Sequence, residues 1–132
     1  QESKSFWGNN SLRPDIVLRK RDQTYIIDTK WKRPQKSTAS VADLRQIYTY
    51  CRFWDAEKGL LLYPGDTSHN TFKSYATDDY SIKKEDNPNL IEHQCKMEYV
   101  NVTDPITNRL SKTIGQDILI VLGLSKEANR YL

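Results

Sequence analysis

The sequence predicts an α/β fold in which a mixed β-sheet is flanked by helices. Three observations carry this. Two apolar segments that alternate with period two flank a polar turn at 20–23. A helical 3,4 pattern follows over about 40–56, and a short apolar strand, 59–63, then ends at Pro64-Gly65. A helix between two strands is the connection that returns the chain to one end of a sheet already begun. With 132 residues and 15.4 kDa, the chain is read as one domain over 1–132. Only 37% of residues are hydrophobic, but three Trp, eight Tyr and three Phe supply bulk for one core. The longest near-apolar stretch, 118–124, has seven residues. That excludes a membrane-spanning helix, which needs about 20.

Each element has its own signal. Residues 1–13 read as an irregular or partly helical lead-in. Residues 12–18 are the first strand, with Pro14 near its start, where a missing amide donor is tolerable. Residues 24–30 (TYIIDTK) form the antiparallel partner, and 31–40 are a basic, Pro-containing connection. Ser40 is a fair N-cap, with Asp43 three residues on in the acidic place of a capping box. The helix runs from there to Trp54 or Ala56 and stops before Gly59. Leu44, Ile47, Tyr48 and Cys51 make one stripe, and Gln46, Tyr50 and Phe53 a second on nearly the opposite side, so both faces are expected to be covered. After Pro64-Gly65, a polar loop holds an edge strand over 71–76, and 83–89 is a charged, solvated loop. Residues 91–102 are a further strand. Asp104, Pro105 and Thr107 introduce a last helix over 107–123 carrying Leu110, Ile114, Ile118 and Val121 or Leu122.

Charge is distributed unevenly. Residues 1–54 hold 11 basic and 5 acidic side chains, whereas 55–132 hold 9 and 12. The basic half is where a polyanion is expected to dock. Cys51 and Cys95 are 44 positions apart with no CxxC pair, which argues against a thiolate zinc site and for a reduced, cytoplasmic protein. His69 and His93 share no ligand spacing and read as ordinary surface or edge residues. The start, QESKSFWG, has neither a leader's apolar segment nor Met at position 1, and reads as that of a piece lacking an N-terminal region. No Walker motif is present, so the chain is not itself a nucleotide-driven motor.

The chemistry concentrates in Pro14-Asp15 and Asp28-Thr29-Lys30. Alternation puts Asp28 and Lys30 on one strand face with Ile26, and Thr29, Tyr25 and Ile27 on the other. Hairpin pairing can set Asp15 beside them. Two close carboxylates repel, and a hard divalent cation relieves this. Asp15, Asp28 and the Thr29 carbonyl offer three oxygens to Mg²⁺ or Mn²⁺. Such an ion acidifies a water and polarises a phosphodiester. Lys30 then orients or helps deprotonate the water, and its positive charge offsets charge developing on the phosphate. The plain alternative is a structural Asp–Lys pair at a strand end. Gln46 and Tyr50, one helical turn apart, project together and can bond a phosphate or the water network.

RPDIVLR, a turn, YIIDTKWK, a linker and DLRQIYTY together resemble the PD-(D/E)xK nuclease superfamily, closest to the nuclease domain of McrC-like subunits of modification-dependent (5-methylcytosine) restriction systems. Asp15 matches the Asp of the PD element, and Asp28-Thr29-Lys30 matches D/E-x-K. Gln46 and Tyr50 match the Q-x-x-x-Y element of RecB-like members. The resemblance is good over 12–63 and weakens beyond.

The resemblance implies a restriction-endonuclease-like core and a Mg²⁺-dependent DNA endonuclease, with Mn²⁺ able to substitute. It also implies a GTP-hydrolysing AAA+ (McrB-like) partner that recognises modified DNA. Many such nucleases carry an additional Glu ahead of the PD strand. Glu2 is the one acidic residue before Asp15 and is the candidate for that metal ligand, set against a frayed terminus. Arg13, Arg19, Lys20, Arg21, Lys32, Arg33 and Lys36 are candidates for phosphate contact, which gives salt-dependent binding with little base readout. Trp31 could stack on a base. The alternative within this fold is a silent nucleic-acid-binding module or regulatory subunit, and metal binding separates the two.

Overall fold

The computed structural model describes residues 1–30, 38–66, 68, 70–76, 91–101 and 114–124. Its strands are β1 (Lys4–Trp7), β2 (Asn10–Leu12), β3 (Ile16–Lys20), β4 (Gln23–Thr29), β5 (Lys58–Pro64), β6 (Lys73–Ser74) and β7 (Gln94–Val100). Helix α1 (Val41–Trp54) joins β4 to β5, and α2 (Ile114–Val121) follows β7. The expected connection at 31–37 and the charged loop at 83–89 lie outside the described residues, as does 107–113 of the last helix.

Five strands form one mixed sheet in the order β3-β4-β5-β7-β6. β3 and β4 are the antiparallel hairpin, with Ile16 opposite Ile27 and Lys20 opposite Gln23. Its turn is tight because Arg21 takes a left-handed conformation, φ 57°. β4, β5 and β7 are mutually parallel, and β6 adds an antiparallel edge. The mixed sheet flanked by helices is therefore present as expected.

Alternation along β4 and β5 divides the core. Ile26, Leu61 and Tyr63 face α1, where Ile47, Tyr50, Cys51 and Trp54 meet them. Tyr25, Ile27, Leu60 and Leu62 face the other way, against Leu122, with Ile118 packed alongside. The core seam of α1 is thus Ile47-Tyr50-Cys51-Trp54. Tyr50 is buried, as expected of its stripe, whereas Tyr48, expected to be covered with the other stripe, is 40% exposed. Tyr48 lies on the flank, where Tyr75 and His93 meet it. Close approach of helix to sheet is permitted by Gly59, which has no side chain under Ile47 and Cys51. Ser40 caps α1 by accepting from the Asp43 N–H, and Asp55 ends it in a left-handed conformation.

The lead-in is not helical. β1 and β2 form a small antiparallel hairpin turned at Gly8, φ 58°. Every residue of β1 is exposed, so the burial-driven alternation that marks a strand is missing from its sequence. The hairpin is fastened over the end of α1 by Lys4, which donates to the Phe53 carbonyl, and by Phe6, whose ring meets Phe53 edge-on. On the far side, fully buried Glu98 accepts from Ser68 Oγ at 2.6 Å and the Asn70 N–H at 2.5 Å. Lys96 Nζ is 3.3 Å from the same carboxylate. A buried charge needs such partners, and they hold Ser68 and Asn70 against β7.

His93 is also buried, contrary to the edge position expected. Its Nδ1 lies 2.6 Å from the Ala56 carbonyl, which only accepts, so the proton sits on Nδ1. Nε2 has no hydrogen-bond partner among the described residues. Burial lowers the His93 pKa below its ordinary 6.5. Cys51 and Cys95 are both free and buried, with their thiols pushed up to about 12 and about 11 by burial. No helix among the described residues is long and apolar enough to cross a membrane.

Candidate active site

The site lies at the carboxyl ends of the parallel strands β4 and β5, the position at which open α/β sheets present ligands. Ile16 pairs with Ile27, so the next step of the hairpin sets Asp15 against Asp28. Each carboxyl group acts on the other's titration, Asp28 helping to lower Asp15 and Asp15 helping to raise Asp28. Asp15 Oδ2 accepts from the Thr29 N–H at 2.8 Å and from Thr29 Oγ1 at 2.9 Å. Thr29 fixes Asp15 through these two donors, and its carbonyl oxygen, the ligand expected, takes no part in either bond.

Asp28 faces α1, and its buried carboxylate forms an ion pair of 2.7 Å with Lys30 Nζ. Lys30 Nζ also donates to Gln46 Oε1 at 2.8 Å and lies 3.3 Å from Asp43 Oδ1. Gln46 Nε2 donates to Tyr50 Oη at 3.0 Å, and Tyr50 Oη reaches the Arg13 carbonyl at 3.4 Å. Asp15, Asp28, Lys30, Gln46 and Tyr50 thus converge.

The electrostatics differ between the two carboxylates. Burial pushes Asp28 up, and the Lys30 contact only partly offsets it. At Asp15 burial acts in the same direction, but the two Thr29 donors, the neighbouring Asp28 carboxyl and the Lys30 charge outweigh it, so Asp15 sits below the ordinary carboxylate range. Burial would lower Lys30, yet Asp28 and Asp43 hold it above its usual value. Held in this way, the Lys30 ammonium group is suited to offset negative charge at the site.

Glu2 is not with the acidic pair. It forms a two-pronged ion pair with Arg19, at 2.5 and 2.8 Å, and accepts from Trp54 Nε1 at 3.2 Å. That bond to Arg19 holds its pKa down at about 2. Arg19 is four residues along the strand from Asp15, roughly 13 Å at about 3.3 Å per residue. The metal-ligand expectation for Glu2 is corrected accordingly: its partners tie the N-terminus to β3 and to the end of α1.

Of the basic residues expected on phosphate, Arg13 is exposed next to the site. Arg19 is taken by Glu2, and Lys20 Nζ donates to the Leu124 carbonyl beyond α2. Arg21 is exposed in the distant hairpin turn. These three stand at the far end of the hairpin and do not line the site. Lys32, Arg33 and Lys36, with Trp31 and His69, fall outside the described residues.

Two site residues were missed in the sequence. Asp43 reads there as a cap residue, but its carboxylate turns to Lys30 and to Tyr63 Oη, 3.0 Å away. Its spacing of three before Gln46 puts it on the same helix face, a signal that was available. Tyr63 follows Leu62, the partner of Thr29, and so stands beside Lys30.

Residues 1–64 match the family model described as McrBC 5-methylcytosine restriction system component. The McrC-like resemblance is thus borne out over those residues, as similarity to a component of a restriction system. A solved structure from Thermococcus gammatolerans, described as a refined half-complex from a tetradecameric assembly of McrB AAA+ hexamers with bound McrC, contains a chain of similar fold. The TM-score is 0.54 at 18% identity, over 98% of the present chain and 28% of that one. That likeness bears on the fold, and the present chain spans little more than a quarter of the matched chain's length. Among curated proteins there is no match.

Proposed function

We propose that this McrC-like chain is a metal-dependent DNA endonuclease domain, the cleaving part of a modification-dependent restriction system. The observation that carries the reading is the hairpin register that sets Asp15 opposite Asp28 at the end of β4, with the Lys30 ammonium ion 2.7 Å from Asp28.

The donor set fits a hard divalent cation. Two carboxylates set opposite each other repel, and both offer oxygen. Among the described residues no group of three or more His, Cys, Asp or Glu side chains is arranged to hold a metal ion. Mg²⁺ commonly takes just one or two protein carboxylates, with water and phosphate oxygens completing its shell. Asp15 and Asp28 would hold it, and it would supply Lewis acidity and an acidified water. The chain's own residues do the remainder. Thr29 fixes the Asp15 carboxylate, while Gln46, oriented by Tyr50, helps to aim Lys30. The fixed ammonium faces charge that develops on a phosphate, a stabilisation that needs no rearrangement during reaction. Exposed Arg13 offers a backbone contact that fixes register without reading sequence.

By likeness to the complex of McrB AAA+ hexamers with bound McrC, the partner inferred is an AAA+ subunit that hydrolyses GTP and selects modified DNA. The test is nicking of supercoiled plasmid by the purified chain with Mg²⁺ or Mn²⁺ and an EDTA control, alone and with that subunit. Metal-dependent nicking is the expected result. A chain that binds DNA but neither binds Mn²⁺ nor nicks under any condition would make it a silent binding module.

A further inference from the structure

Lysine is a flexible four-carbon stem ending in three donors, and it holds one position only if each donor is claimed. At Lys30 three acceptors do so, from two elements: Asp28 Oδ2 on its own strand, and Gln46 Oε1 and Asp43 Oδ1 on α1. Asp28 also belongs to the candidate metal site. Gln46 is neutral. Asp43 is therefore the counter-charge that serves Lys30 without also serving Asp15.

Asp43 is itself immobilised at three points. Its backbone N–H is capped by Ser40 Oγ at 3.1 Å. Its two carboxylate oxygens are divided, Oδ1 towards Lys30 and Oδ2 to the Tyr63 hydroxyl, so the group cannot rotate without losing one partner. Tyr63 is 2% exposed, and its ring packs near Tyr99 with centroids 5.9 Å apart. A residue needed only to favour the first turn of a helix requires neither contact, because a solvent-exposed carboxylate there interacts with the helix dipole equally well.

We propose that Asp43, braced by Tyr63, is the positioning residue that holds the Lys30 ammonium group at the active site. The brace links β5 through α1 to β4, so the register of helix against sheet is transmitted to the lysine. The proposal rests on the nuclease reading for its catalytic consequence, but not for its structural claim, and the experiment separates the two.

The first arm needs no cleavage. The chain is treated with an amine-acylating reagent in metal-free buffer, and labelling at each lysine is followed by mass spectrometry. Lys30 is expected to label slowly relative to exposed Lys73. In Asp43→Ala its rate rises by roughly fivefold or more relative to Lys73, the factor that about 1 kcal/mol of a charge-assisted contact represents. Tyr63→Phe gives a smaller rise in the same direction, and Asp43→Asn, which keeps the acceptor, lies between wild type and Asp43→Ala. If Asp43→Ala unfolds, all lysines accelerate together, and the Asn and Phe variants then decide. An unchanged Lys30 rate in folded Asp43→Ala, or in both milder variants, overturns the proposal.

The second arm measures cleavage and Mn²⁺ affinity. Asp43→Ala is expected to lower kcat with KM and Mn²⁺ affinity preserved. Mn²⁺ affinity lost in parallel with kcat would make Asp43 a metal ligand and refute the positioning role. A wild-type chain that never cleaves would count against the nuclease reading alone, since labelling still decides how Lys30 is held.

Discussion

Gly59→Ala tests whether α1 is pressed onto the sheet as closely as the site requires. A Cβ at Gly59 falls 2.2 Å from Ile47 Cγ2 and 3.1 Å from Cys51 Sγ. Carbon atoms rest at about 3.5–4.0 Å, so either the helix lifts by about 1.5 Å or Ile47 leaves its rotamer. Overpacking of this kind costs about 1–3 kcal/mol. The loss of unfolded-state freedom on replacing glycine returns about 0.4–1 kcal/mol. The net expectation is about 1–2 kcal/mol of destabilisation, or roughly 4–8 °C in Tm for a chain of this size. Ile47→Leu moves the branch away from Cβ, vacates the clash and by itself costs less than about 1.5 kcal/mol. A double-mutant cycle by urea denaturation is therefore expected to show favourable coupling of at least about 1 kcal/mol. Because Asp43, Gln46 and Tyr50 ride on the same helix, Gly59→Ala should also depress cleavage beyond its effect on folding, and Ile47→Leu should restore part of it. Gly59→Ala as stable as wild type, or strictly additive with Ile47→Leu, would refute the argument.

Other substitutions separate the remaining roles. Lys30→Ala is expected to keep Mn²⁺ affinity, read by calorimetry, and to lose about 10²- to 10³-fold in turnover; normal cleavage would remove Lys30 from the mechanism. Glu2→Gln should leave Mn²⁺ affinity and cleavage unchanged, since its partners are Arg19 and Trp54, and a clear drop in affinity would return it to the metal site. His93 has a folded-state pKa below its ordinary 6.5. The stability this contributes is fully present above pH 6.5 and declines as pH falls through the depressed value, because the unfolded chain takes up the proton first. Thermal melts between pH 8 and 5 should therefore show Tm falling less steeply below pH 6.5 in His93→Gln than in wild type, and parallel curves would contradict the assignment.

Much of this arrangement is legible in the sequence because it follows from local rules. Period two along β4 puts Ile26, Asp28 and Lys30 on one face, and a one-turn spacing joins Gln46 to Tyr50. The Pro-Asp step before a hairpin then brings Asp15 to Asp28. What escaped detection depends on contacts between distant segments. Asp43 sits three residues after an N-cap, and that local role hides the tertiary one, which needs Lys30 and Tyr63 to arrive from two strands. The hairpin over 4–12 is exposed along β1, so no buried alternation announces it. His93 is buried through the Ala56 carbonyl, 37 positions away, and no spacing rule reaches that far. Arg19 and Glu2 each fit a functional role by charge and position, yet they satisfy each other.

The central claim is that Asp15 and Asp28 together form a metal-dependent cleavage centre. Its most direct test is plasmid nicking by wild type and Asp28→Asn side by side in Mn²⁺, with circular dichroism showing that both are folded. The expected result is nicking by wild type, abolished by EDTA and by the substitution, with Mn²⁺ affinity lost in the variant. Equal nicking by folded Asp28→Asn would contradict the account.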